Sequence, residues 1–264
     1  MYCNRYFLRL LNLYINSIRH QNISNGLSFI SDISKRSSIE DSMMLFTPTS
    51  KTTSAFVGKN INVQNALSFT QRGNNNSFGI DQNSTFNIPF ISASQKGTSL
   101  GNRMKISEGV LSFGVFEGKS SDFDLETSGF IAEFGWEKGS THTSFFTGIT
   151  NEDDGFLETS VEGAFAEQSK AKTAYAGVSS YGWLNDTWSY NALGSFGSTD
   201  FEVNGVGLLR DIDNISSSSF ALDVARAVGL TKNDSIHFGV SQPIRVESGD
   251  AILLIPELYE RGGE

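Results

Sequence analysis

From about residue 103 the chain is a succession of segments in which apolar and polar side chains alternate, each set off by short polar interruptions. Alternation with a period of two gives a strand one apolar face. Segments of roughly ten residues are also the length that a tilted strand needs to cross a bilayer. The candidate strands are Lys105 to Phe116, Thr127 to Lys138, Thr141 to Thr150, Ala171 to Trp183, Thr187 to Ser198, Ser216 to Gly229, Ser235 to Glu247 and Asp250 to Pro256. This pattern predicts an all-β fold, an antiparallel up-and-down membrane β-barrel, for which eight segments already suffice.

The rest of the composition agrees with strands. The 264 residues include 26 Gly and 21 Phe but only 4 Pro, which suits many strands joined by polar turns. No run of about 18 apolar residues is present, so a membrane-spanning helix is excluded, whereas a barrel satisfies its backbone between strands and needs no such run. A formal charge of −9 with no basic cluster argues against a nucleic-acid partner.

Residues 1–102 read differently from the rest. In residues 1–19 the apolar side chains Phe7, Leu10, Leu11, Tyr14, Ile15 and Ile18 fall near one face of a helix, so a short amphipathic helix is expected there. Arg5 and Arg9 interrupt the pattern that a secretory signal would need. A weak signal is the lesser alternative for this segment; with a barrel, the natural N-terminus is expected to lie upstream or to have been lost. Residues 20–102 are rich in Ser, Asn and Thr, with weak strands expected at Asn60 to Thr70 and Ser84 to Ser92 and a loop at Arg72 to Ser77. The division is thus a helix and weakly structured or early-strand region over 1–102 and a barrel region over 103–264.

Two adjacent segments carry the membrane reading. On Ala171 to Trp183 one face collects Thr173, Tyr175, Tyr181 and Trp183, and the next segment places Trp188 and Tyr190 together. With Leu184-Asn185-Asp186 as the turn, Tyr181, Trp183, Trp188 and Tyr190 fall at one level, as in an aromatic girdle at a membrane interface. In the segment from Ser235, the set Ile236, Phe238, Val240, Ile244 and Val246 is expected to face outward, and Arg245 and Glu247 to line a lumen. A soluble or secreted β-rich interaction module, with the same aromatics in a core, is the alternative reading.

No catalytic, cofactor or metal site emerges. Cys3 is the only cysteine, and His20, His142 and His237 lack any metal-ligand spacing. Gly97-Thr98-Ser99 has the look of a nucleophile turn, but nothing around it supplies the base and orienting acid of a triad. Glu152-Asp153-Asp154 lacks the alternating ligands of a calcium loop and reads as a solvated connection.

The stretch from Ser219 to Gly249, with FGVSQPIRVESG at its end, resembles the C-terminal barrel region of autotransporter-like, subtilisin-type serine peptidases of alphaproteobacteria. The resemblance is most specific over 219–255 and extends loosely back to about 103 through GFIAEFGW and NEDDGFLETSVEGAF. It implies a bacterial outer-membrane translocator or anchor. Its partners would be outer-membrane lipid, an exported passenger segment and the outer-membrane assembly machinery. The relatives carry their peptidase N-terminal to the barrel, and this chain has no room for one. Where the relatives continue with further strands, this sequence ends in Glu-Arg-Gly-Gly-Glu264, so a fragment is expected.

Overall fold

The structure is a computed structural model that describes residues 18–23, 27–32, 43–50, 52–61, 88–91, 96–119, 125–157, 159–160, 168–204, 208–227 and 235–253. These residues form fourteen strands. They are β1 (Ile18–Ile23), β2 (Leu27–Asp32), β3 (Met43–Pro48), β4 (Thr53–Ile61), β5 (Lys96–Ile106), β6 (Gly109–Lys119), β7 (Glu126–Lys138) and β8 (Thr141–Asp153), then β9 (Gly155–Phe156), β10 (Thr159–Ser160), β11 (Gln168–Trp183), β12 (Trp188–Asn204), β13 (Leu209–Ala227) and β14 (Ser235–Leu253). Among the described residues the only helical segment is a 3₁₀ turn, Pro89–Ile91.

Twelve of the strands make one antiparallel sheet in chain order, while β9 and β10 form a small hairpin off its end. The expected all-β, up-and-down connectivity is what forms. Among the described residues β1 and β14 are not paired with each other, so the sheet is open. It nevertheless curls. Phe56 of β4 belongs to the same buried cluster as Phe146 and Tyr175 in the middle strands, and Ile244 of β14 packs against that cluster.

Several boundaries differ from expectation. Ile18–Ile23 is a strand paired to β2 rather than the end of a helix, because strand pairing satisfies its backbone regardless of side-chain spacing; the remainder of the expected helix lies outside the described residues. Lys105 to Phe116 straddles a tight turn at Ser107-Glu108 and so splits between β5 and β6. The last two candidate strands are one, β14. The expected strand at Ser84 to Ser92 is described only from Ile88, where it forms the 3₁₀ turn. That at Asn60 to Thr70 is described only at its start, within β4, and the Arg72 to Ser77 loop lies outside the described residues. Strand β5 crosses residue 102, so the sheet runs through the change in composition.

Local chemistry sets the hairpins. Gly139 has φ 63° and Ser140 does not share the positive φ, which is the type II′ geometry that matches the twist of two strands; Lys138 pairs with Thr141 across it. Between β11 and β12 the Asn185 side-chain oxygen accepts the N–H groups of Thr187 and Trp188, each at 3.0 Å, closing an Asx turn.

The buried face is assembled from aromatic and glycine pairs. Phe56 lies across from Gly101, Phe116 from Gly129, Phe146 from Gly177 and Tyr175 from Gly148. In each pair a Cβ on the glycine would come within 3.0 Å of the ring. The rings therefore lie flat across the neighbouring strand and fill the space a side chain would have taken.

Candidate functional site

The two faces of the sheet have opposite characters, and register shows how each is composed. On one face Val57, Leu100, Val115, Phe130, Ile149 and Ala174 lie in a single cross-strand row over β4 to β8 and β11. A second row runs Leu111, Phe134, Phe145, Val178, Gly194 and Phe220 from β6 to β13. Most of these large apolar side chains are exposed, and Phe145 keeps 56% of its surface. Soluble monomers rarely expose contiguous apolar surface beyond a few hundred Å².

Charge bounds this apolar band on the side away from the tight turns. The row Thr98, Glu117, Ser128, Asn151, Lys172 and Asp200 comes next on the same face, followed by Lys119, Glu126, Asp153, Lys170 and Glu202. Within the outer row Lys119 pairs with Glu126, and Lys170 Nζ lies 3.9 Å from Asp153. At the turn side the band ends in Trp136, Tyr190 and Trp188. Trp136 packs on Phe134 and Phe145 with centroids 5.9 and 5.5 Å away, the Tyr190 hydroxyl lies 2.9 Å from Ser180 Oγ, and the Arg226 guanidinium sits over Trp188 at 5.5 Å.

The band also drifts along the sheet. On β14 its members are Ile236, Phe238 and Val240, and the row through Phe238 leads back through Val224, Tyr190, Gly182 and Thr141 to Lys138 on β7, beyond the band there. A band level with a fixed plane must step along the register in this way when the strands are tilted to that plane.

The opposite face is buried and largely polar. Ser144 and Ser179, Thr173 and Thr199, and Ser195 and Ser219 are hydroxyl pairs across strands at 3.3, 2.8 and 2.7 Å. Arg103, Ser112 and Glu133 share one row, and His142, Tyr181, Asn191 and Asp223 another. His142 stacks on Tyr181 at 4.8 Å, and His237 Nδ1 lies 3.1 Å from Asp223. Nearer the centre an apolar cluster takes over, with Ile88 and, from the 3₁₀ turn that follows it, Phe90 and Ile91 clustered with Phe116, Ile131, Phe146, Tyr175 and Leu193.

The residues singled out in sequence are distributed between these faces. Trp188 and Tyr190 lie on the exposed apolar face, whereas Tyr181 points to the buried one and Trp183 follows the same alternation at the strand end. The expected girdle therefore splits, because the aromatic-rich side of β11 is its buried side and Ala174, Ala176 and Val178 form the exposed one. Trp136 ends the apolar band on β7, a position that aromatic counting on the β11–β12 hairpin does not reveal; its alternation with Phe130 and Phe134 carries the signal.

Arg245 and Glu247 do share a face, with 3.9 Å between Nε and Oε2. Arg245 pairs with Ser218 and Glu247 accepts the Ser218 hydroxyl, so both sit on the exposed face rather than the buried one expected for a lumen. The cause is a bulge. Phe220 pairs with Gln242 and Ser218 with Arg245, leaving Pro243 and Ile244 opposite Ser219 alone, which turns Ile244 against the buried cluster and brings Val246, still 46% exposed, opposite Ser217. Proline has no N–H to give a ladder, so a bulge on the sheet's last strand accommodates it.

The other candidates separate in the same way. Ser99 is buried on β5 opposite Gly58 and Phe116. Glu152 points to the buried face, Asp153 to Lys170 on the exposed one, and Asp154 occupies the turn at φ 59°. Asp223 and Arg226 fall on opposite faces, as their spacing requires. Among the described residues no group of three or more His, Cys, Asp or Glu is placed to hold a metal. The chain matches no protein-family model, no curated protein and no solved structure.

Proposed function

We propose that this chain is the membrane-embedded part of a bacterial outer-membrane β-barrel that anchors or exports a passenger segment, as in the autotransporter-like proteins it resembles, with no catalysis of its own. The observation that carries the reading is the exposed apolar band, edged by paired charges on one side and by Trp136, Tyr190 and Trp188 on the other, and drifting as tilted strands demand. Aliphatic side chains and phenyl rings gain about 25 cal/mol per Å² of surface removed from water, and lipid offers that gain to a face the protein leaves uncovered. The buried hydroxyls and charges suit the interior of such a barrel. Assembly machinery of the outer membrane and lipid are the partners that follow from it.

The test is fractionation of the expressed chain. Retention in carbonate-washed outer membranes, with a heat-dependent shift in gel mobility after detergent extraction, is the expected result. Recovery as a folded soluble species would instead support a β-rich interaction module whose core is the cluster around Phe146 and Tyr175.

A further inference from the structure

The buried face holds polar atoms that a dry core does not tolerate. Ser99 Oγ, Thr127 Oγ1, Ser169 Oγ, Tyr175 OH and Ser217 Oγ are all buried and make no hydrogen bond to any of the described residues. Leaving such a group both dry and unpaired costs about 1–3 kcal/mol, so this face is built to take water. Among the described residues its fixed charges lean one way: Arg103 is accompanied by Glu133, Glu152 and Asp223.

Across this polar wall lies an apolar obstruction. Ile88, Phe90 and Ile91 are 0–2% exposed. Phe90 stacks on Tyr175 with centroids 5.1 Å apart and an interplanar angle of 16°. Its ring also covers Gly197, where a Cβ would stand 2.7 Å from it and 3.2 Å from Ser217 Oγ. Ser217 pairs with Gly197 and so sits directly behind the ring.

We propose that the buried face lines a hydrated, cation-preferring path that the Ile88–Ile91 segment holds shut. The inference rests on the membrane reading above. An apolar constriction stops ions because water leaves it, and the ion would have to shed its hydration there. The surplus of carboxylates on the wall favours cations once the constriction is removed.

The experiment uses the full chain refolded into planar bilayers, with KCl as the probe. Wild type is expected to insert and stay nearly silent. Phe90→Ser/Ile91→Ser should raise the conductance on the order of tenfold or more, with a reversal potential in a KCl gradient displaced toward that of potassium. A wild type that conducts as freely as the variant overturns the proposal, as does an inserted variant that stays silent or prefers chloride. Absence of the heat-dependent shift in the wild type overturns the membrane reading and this proposal with it.

A milder probe covers the case in which the double substitution does not fold. In a Cys3→Ser background, Ser217→Cys should react with a small cationic thiol reagent on the order of tenfold faster when Phe90→Ala is also present, since the ring is its cover. Equal rates with and without Phe90→Ala would overturn the proposal.

Discussion

A positive charge placed within the apolar band distinguishes lipid from water as its surroundings. Phe145 lies within the band on β8, one row in from its aromatic edge, and Asn151 lies on the same strand and face in the first polar row. If the band faces lipid, Phe145→Arg should cost up to about 2–4 kcal/mol, the upper end being the penalty for Arg at the bilayer midplane, and Asn151→Arg only about 0–1 kcal/mol. The difference, about 1–4 kcal/mol, lowers the folded-to-unfolded ratio roughly five- to several-hundredfold, at about 1.4 kcal/mol per factor of ten. If the band faces water, Phe145 is 56% exposed, and a charge there should fall within about 0.5 kcal/mol of neutral. Loss of the ring's packing on Trp136, worth about 0.5–1.5 kcal/mol, is removed by using Phe145→Ala as the reference. Equilibrium denaturant unfolding in lipid vesicles measures all three variants. Equal costs for Phe145→Arg and Asn151→Arg, after that correction, would refute the reasoning.

Other expectations follow from the buried face and from the edge strand. Gly197→Ala forces a methyl against the Phe90 ring and should destabilise by about 1–3 kcal/mol; adding Phe90→Ala should recover part of the loss, read as coupling in a double-mutant cycle. Ser195→Ala or Ser219→Ala alone strands one hydroxyl of a buried pair and should cost about 1–3 kcal/mol, whereas the double substitution should cost less than the sum in the same unfolding assay. Glu247→Gln removes an exposed partner of Arg245 and should shift unfolding by no more than about 1 kcal/mol; a larger loss would mean the pair is buried in the native state.

Alternation made the middle of the sheet legible. β7, β8 and β11 fall close to the segments read from period alone, since one face of each is uniformly buried and pins the register. What alternation does not specify is which face is outside. On β11 the aromatic side is buried because Tyr175 lies across Gly148, and an aromatic ring is as well placed on a glycine in the interior as at a lipid boundary. Gly129 and Gly177 lie inside segments read as strands, and what their sequence context does not show is that each leaves space for a ring from the neighbouring strand. The face change on β14 depends on Pro243, whose missing N–H is visible in sequence while the pairing that absorbs it is not. The Ile88–Ile91 insertion is set by distant strands, and nothing local announces it.

The bulge at Pro243 also bears on how this chain can change length. Removing or adding a residue within a regular strand exchanges the two faces for everything beyond it, moving apolar side chains to the wrong surroundings. At Pro243-Ile244 two residues already stand opposite one, so losing Pro243 restores ordinary pairing and leaves Gln242 and Arg245 on the face they now occupy. Glu247, between the Val246–Ser217 and Ser248–Ser216 pairs, is likewise unopposed, so natural variants of β14 that differ by a single-residue gap should place it at one of these two points, and a library of single-residue deletions along the strand should recover folded protein preferentially there.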